Sequence, residues 1–336
     1  MMDVARAAGV SQATVSYVIN GRRDGVVAEE TRKRVLEAAT ALNFRPNRAA
    51  QSLRLNQSFL VGIVARGIVI GPFGGAILNG IQKVVHAAGQ LCMVVDAMDD
   101  WAEGDEAVDS FLAQGVSAII YASGAPLTIH TSPRLSETRG LFVNCWPADR
   151  ASAEAVILAD EYGGGRAAAA AAFAAGHTDV AFLGGDVNEY ACIERHRGFL
   201  DAARAAGIDR DRLFQTNGDY KIASGYEATE RAFKQGHPTA LVCGNDRMAL
   251  GAILALHALG LEVPRDVSVI GYDDQAELAD QIRPRLTTVA LPHFEMGERA
   301  GQLLFGSPQQ DDTEITLPCR LIERDSLGAP PKAASF

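Results

Sequence analysis

Apolar positions in the first forty or so residues recur at helical spacing, and they change to short unbroken runs further on. Val15, Val18 and Ile19 fall on one helical face, and Gln12, Ala13, Ser16, Tyr17 and Asn20 fall on the other. The run Asp3 to Ala8 predicts a short helix before this one. Ala28 to Leu42 predicts a longer helix after it, with Val35, Ala38, Ala39 and Leu42 facing inward. Gly9 supplies the permissive backbone that a sharp turn between crossed helices requires. Ser11 is placed to cap the second helix, its hydroxyl accepting from a free opening amide. A helix-turn-helix is the reading, with the polar face of the second helix free for contact.

From Phe59 the rhythm is that of an α/β protein. The runs 59–64, 91–95, 118–121 and 141–144 predict strands, with helices over 76–88 and 103–114. A second set follows: helices over 163–175, 192–206 and 248–259, and strands over 180–183, 240–243 and 267–271. Strand, helix and strand in that order imply parallel pairing with right-handed crossovers, so two doubly wound halves are expected. Between head and core, 47–56 is long enough for about two helical turns, too few to be stable alone. It is expected to be a linker that folds on binding.

Composition agrees with a globular chain of two or three domains: 336 residues, 48% apolar and 21% charged. No apolar run approaches the roughly 20 residues that span a bilayer, and no signal-peptide centre opens the chain, so a cytoplasmic location is expected. Charge is uneven. Residues 1–58 hold nine Lys or Arg against five acids, a surplus of four positive charges, while the whole chain carries -10. A basic head on an acidic body suits contact with DNA phosphates through the head alone. The five cysteines are odd in number and widely spaced, and the seven histidines lack ligand spacing; reduced thiols and no metal or cofactor are expected. No dinucleotide, phosphate-loop or nucleophile-elbow motif follows a strand, and the pair Asp273-Asp274 lacks a nucleophile or base, so an enzyme is not expected.

Asp3-Val4-Ala5, Ala8-Gly9-Val10-Ser11, Thr14-Val15-Ser16, Asn20-Gly21, Thr31-Arg32, Val35-Leu36 and Arg45-Pro46-Asn47 resemble the head of the lactose/galactose repressor (LacI/GalR) family of bacterial transcription regulators. Further on, Gly184-Gly185, Pro238-Thr239-Ala240, Asn245-Asp246, Met248 to Gly251, Gly271 to Asp274 and Leu286 to Val289 stand in the family's order. The resemblance implies an all-α helix-turn-helix head and a core of two parallel-sheet subdomains like those of periplasmic binding proteins. It also implies that the second helix enters the major groove, with Gln12, Ala13 and Tyr17 at the base-reading positions and Ser11, Thr14, Ser16, Asn20 and Arg22 among the DNA contacts. Asn47, Ala50, Leu53 and Arg54 would belong to a hinge helix whose Leu53 wedges into the minor groove. Two departures stand out. Tyr17 replaces a frequent arginine and cannot grip guanine through two hydrogen bonds. Only Met1 and Met2 precede Asp3, so the sequence is expected to start a few residues late.

The expected boundaries are 1–46 for the head, 47–58 for the hinge, 59–327 for the core and 328–336 for a loose tail. Within the core, lobe one takes 59–157 and 290–312, and lobe two takes 158–289 and 313–327. Open parallel sheets bind ligands beyond the carboxyl ends of their strands. That rule and the resemblance select Arg195, Tyr220, Asn245 and Asp273 for the effector, with Phe73 and Trp146 from the first half; Asp246 and Asp274 read as caps. The function implied is a homodimeric repressor whose operator affinity is set by a small molecule, a sugar by preference, with dimer contacts from helices 76–88 and 248–259. The alternative is a cytosolic ligand sensor acting through protein partners, which salt dependence of DNA binding separates.

Overall fold

The computed structural model describes residues 1–19, 27–45, 58–68, 74–97, 101–150, 153–306 and 313–331. It divides into two units, Met1–Phe59 and Leu60–Phe336. In the first, α1 (Met2–Ala8), α2 (Gln12–Ile19) and α3 (Glu29–Ala41) enclose a small core of Val4, Ala8, Val15, Val18, Val35 and Ala39. Gly9 turns left-handed at φ 64°, which lets the amide of Val10 reach back to the Ala5 carbonyl at 3.0 Å and ends α1. Leu42 is not on the inner face as expected. It lies past the end of α3 and is 48% exposed; the chain reverses at Asn43, φ 46°, and Phe44 packs against the core instead.

The second unit holds two lobes built alike. In chain order the first contributes β1 (Leu60–Arg66), α4 (Gly74–Ala87), β2 (Leu91–Asp96), α5 (Trp101–Ala113), β3 (Ala118–Ile129), β4 (Arg139–Pro147) and β5 (Ala155–Ala159). The chain then crosses to the second lobe: α6 (Glu161–Ala174), β6 (Val180–Gly184), α7 (Tyr190–Ala205), β7 (Leu213–Asn217), α8 (Ile222–Gln235), β8 (Ala240–Cys243), α9 (Asp246–Ala258), β9 (Ser268–Asp273) and β10 (Thr287–Ala290). It crosses back for α10 (His293–Phe305) and β11 (Glu314–Leu317), and returns for β12 (Arg320–Ile322).

One sheet runs β11-β5-β4-β3-β1-β2 and the other β12-β10-β9-β8-β6-β7. All the neighbours are parallel except β10 and β12. Helices cover both faces of each sheet, so central strands such as β6 (Val-Ala-Phe-Leu-Gly) are apolar throughout and fully buried, as their unbroken runs imply. β11 corrects the expected boundary. Glu314 to Leu317 pairs with β5 in the first lobe, and only 320–322 joins the second. Five strands, β5, β7, β10, β11 and β12, and the helices α8 and α10 lack a counterpart among the elements the sequence suggested; β7 is a polar edge strand and β10 is half threonine. The expected loose tail is anchored through its described part. The Gly328 amide donates to Ser268 Oγ at 3.0 Å, and its carbonyl lies 2.9 Å from His177 Nε2.

Reciprocal glycines let three helix pairs touch backbone to backbone. A Cβ on Gly165 would stand 2.2 Å from the Arg195 carbonyl, and one on Gly198 2.2 Å from that of Tyr162, so α6 and α7 meet there. Gly225 with Gly251 does the same for α8 and α9, and Gly80 with Gly297 for α4 and α10. No larger residue fits without parting the helices. No described helix is long and apolar enough to cross a membrane. All five cysteines are free thiols.

Candidate functional site

In the head, α2 starts as its sequence implies. Ser11 Oγ accepts from the Thr14 amide at 3.1 Å and shares a 2.9 Å hydrogen bond with Thr14 Oγ1. Ser11, Gln12 and Ala13 are exposed, whereas Thr14, Ser16 and Tyr17 are half-buried. Val15 and Val18 fill the core beneath. The Tyr17 hydroxyl is buried and has no hydrogen-bond partner among the described residues, so it is less open to solvent than Gln12 or Ala13. Asn20, Arg22, Asn47, Ala50, Leu53 and Arg54 lie outside the described residues, as does Phe73 of the core.

In the core, the switch points of the two sheets, between β1 and β3 and between β6 and β8, open on one cavity of about 520 Å³. Arg195, Tyr220, Asn245 and Asp273 all line it. Arg195, on the second turn of α7, is 5% exposed. Its Nε donates to Glu161 at 2.8 Å, its Nη1 donates to the Gly244 carbonyl at 2.6 Å and lies 3.8 Å from Asp273, and its guanidinium stacks 3.7 Å over the Tyr272 ring. A buried arginine so held is a fixed donor array.

Asn245 caps α9, its Oδ1 accepting from the Met248 amide at 2.8 Å, and its Nδ2 donates to the Tyr220 carbonyl at 3.1 Å. Its capping and its place in the wall are therefore one arrangement. Asp273 ends β9 in the left-handed region, φ 107°, an uncommon conformation for a side-chain-bearing residue. Burial pushes its carboxyl well above the ordinary range, with Arg195 pulling the other way. A protonated carboxyl there both donates and accepts, which suits a hydroxyl. Tyr220 lies against Gly185, where a Cβ would stand 1.9 Å from its ring, and turns left-handed at φ 63°.

Of the two residues expected to act as caps, Asp246 is fully buried. It accepts from Thr288 Oγ1 at 2.5 Å and from the Gln275 amide at 2.7 Å, and burial raises its pKa to about 7. Asp274 pairs with Arg324 at 2.7 Å. Neither lines the cavity.

Trp146 does not line the cavity either. It stands edge-on to Tyr190 of α7, ring centres 4.8 Å apart, in a contact between the lobes. The first lobe presents Asn144 instead, two residues earlier. Asn144 is 2% exposed at φ 56°; its Nδ2 donates to the Ser123 carbonyl at 3.3 Å, and its Oδ1 has no hydrogen-bond partner among the described residues. Beside it, β3 slips register between Ala122 and Leu127, and the slipped residues Ser123 to Pro126 form the wall.

Two more residues missed by sequence reasoning sit where the chain crosses between lobes. Glu161 follows the first crossing and His293 the second, and both are buried in the wall. Burial lowers the His293 pKa to about 4, so its ring is neutral. Among the described residues no three His, Cys, Asp or Glu side chains stand together as a metal site.

Comparison with known proteins bears on both regions. Residues 1–47 match the model of bacterial regulatory proteins of the lacI family, and 169–327 match a periplasmic binding protein-like domain. The HTH-type transcriptional repressor PurR of Erwinia tasmaniensis is 33% identical over 335 residues, which cover 98% of this chain and 97% of that protein. Its namesake in Serratia proteamaculans is 32% identical over the same shares. Among solved structures, the lac repressor dimer bound to operator and the anti-inducer ONPF aligns with a TM-score of 0.77 at 28% identity, covering 97% of this chain and 98% of that one. A complex of the transcriptional regulator CelR with cellobiose aligns with a TM-score of 0.64 at 26% identity, covering 96% and 98%.

Proposed function

The chain belongs to the lacI family of bacterial regulatory proteins, and we propose that it is a homodimeric, cytoplasmic repressor, without catalytic activity, whose operator affinity is set by a small polyhydroxylated molecule in the core cavity. The observation that carries this reading is the pairing in one chain of a capped, exposed recognition helix with a cavity walled by fixed hydrogen-bonding groups from two lobes. Gln12 and Ala13 are the leading candidates for base contacts, and Ser11 and Thr14 suit phosphate contacts near the helix start. Leu53 and its neighbours in 47–58 are the proposed coupling element, a short segment that folds against the minor groove.

In the cavity, Arg195 donates, Asn245 and Asn144 offer amides, Asp273 donates and accepts, and Tyr220 supplies a ring for an apolar sugar face. A ligand touching Asn144 and Arg195 together contacts both lobes and favours whichever arrangement brings them closest. That preference is what reaches DNA: effector and operator must change each other's affinity by the same factor. Relatives in complex with operator and anti-inducer, or with cellobiose, support a small-molecule effector.

The test is fluorescence anisotropy of the purified chain on DNA from its own promoter region against random DNA of equal length, across a salt series. Tight binding to the promoter DNA, weakening steeply as salt rises, is the expected result. Equal, salt-insensitive binding to both would reject a DNA-reading repressor.

A further inference from the structure

The second lobe turns three helix starts toward the cavity. Asn245 caps α9, but Glu189 before α7 and Lys221 before α8 make no side-chain cap bond, and Glu189, Ala191 and Lys221 all line the space. Opening amides have no partner within their own helix, and the aligned peptide dipoles place positive potential at these ends.

Side-chain charge adds to it. Arg195 is occupied by Glu161 at 2.8 Å, and Lys221 by Asp219 at 2.7 Å. Arg247, in the first turn of α9, lines the cavity with no hydrogen bond or ion pair to another described residue; its charge is felt by Asp273, whose carboxyl burial pushes the other way, toward the neutral form. Arg66, which ends β1 and has an interaction of its own, brings a second guanidinium to the lining from the opposite lobe. Against these stand Glu189 at the exposed rim and Asp273, whose neutral form burial favours. Asn144 Oδ1, buried and without a hydrogen-bond partner among the described residues, calls for a donor from the ligand.

We propose that the cavity takes a polyhydroxylated acid, its anionic group, carboxylate or phosphate, recognised by Arg247 with Arg66 opposite, and a hydroxyl donating to Asn144. An anion shared by guanidinium groups of opposite lobes draws the lobes together, a component of closure that a neutral sugar lacks. The inference rests on the cavity being the effector site.

The experiment is isothermal titration of the full chain with pentoses and hexoses, their uronates and aldonates, and their phosphates. An acid binding at least about tenfold more tightly than its neutral parent is expected, the scale of a charge-assisted hydrogen bond. Arg247→Gln should remove that margin and leave binding of the parent sugar unchanged, while Arg247→Lys keeps most of it. Whether carboxylate or phosphate binds names the source of the anion. A neutral sugar binding as tightly as every acid, no acid binding, or Arg247→Gln weakening acid and parent alike would overturn the proposal. Operator binding is read separately: an acid that fills the cavity without changing operator affinity leaves this chemistry standing and rejects the effector reading.

Discussion

The two lobes share a topology but build their halves of the cavity differently. The second lobe offers side chains at positions any α/β sheet provides, where a strand ends or a helix begins: Asp273 on β9, Asn245 before α9 and Arg195 on α7. Each is held by partners within that lobe or at its crossing, so this half is rigid before a ligand arrives. The first lobe offers a slipped stretch of β3 and one asparagine in a left-handed turn, whose oxygen has no hydrogen-bond partner among the described residues. Apart from the Tyr220 hydroxyl, which has no hydrogen-bond partner among the described residues, the second half is satisfied without ligand, and the first is not. Ligand binding should therefore be legible in the second lobe as fixed geometry and in the first as a group gaining a partner.

The largest way to break this contrast is Arg195→Ala. It leaves Glu161 buried without its cation, so urea unfolding should show a loss of about 3–5 kcal/mol, and ligand binding should vanish. Next comes the helix contact that positions that arginine. Gly165→Val sets a methyl group against the Arg195 backbone and should cost about 3 kcal/mol while weakening ligand binding. Gly297→Val, at the matching contact of α4 with α10, should cost a similar amount of stability yet leave Arg195 in place. Equal damage to ligand binding by both would erase the distinction between the lobes.

Smaller substitutions sharpen it. Asn245→Ala removes a helix cap and should cost about 1 kcal/mol in a urea melt, with ligand binding reduced. Asn144→Ala removes an amide whose oxygen has no partner to lose, so stability should change less than for Asn245→Ala while ligand affinity falls.

The dependence on pH has two limbs, and they oppose. Asp246 titrates near 7 rather than 3.8, so the folded chain binds more protons there, and its contribution is lost as pH rises from about 4 through 7. Asp273, raised by burial, acts in the same sense. His293, lowered to about 4 from 6.5, contributes above 6.5, and that contribution is lost as pH falls through 4. Thermal melts from pH 4 to 8 should show Asp246→Asn removing the alkaline loss and His293→Gln the acid one.

How far the sequence could be read follows the same division. Arg195, Asn245 and Asp273 were legible from strand ends and helix starts together with the family resemblance, Tyr220 from the resemblance, and all four line the cavity. Asn144 was not: asparagine tolerates the left-handed region but is common elsewhere too, and the large ring of Trp146 drew the choice two positions too far. Glu161 and His293 owe their place to chain crossings that only the assembled sheets define. In the head, the cap at Ser11 and the buried valines were plain from spacing, whereas the inward turn of the Tyr17 hydroxyl depends on neighbours that a helical projection omits. β11 was assigned to the wrong lobe because the expected boundary kept 313–327 together, though two residues between Leu317 and Arg320 carry the chain across.

If cavity and operator are coupled, the coupling must be reciprocal. Operator affinity is measured by anisotropy with and without the saturating ligand identified by calorimetry, and ligand affinity is measured with and without operator. Equal shifts of about 5- to 150-fold in both directions are expected. A ligand that fills the cavity while both affinities stay unchanged would contradict the account.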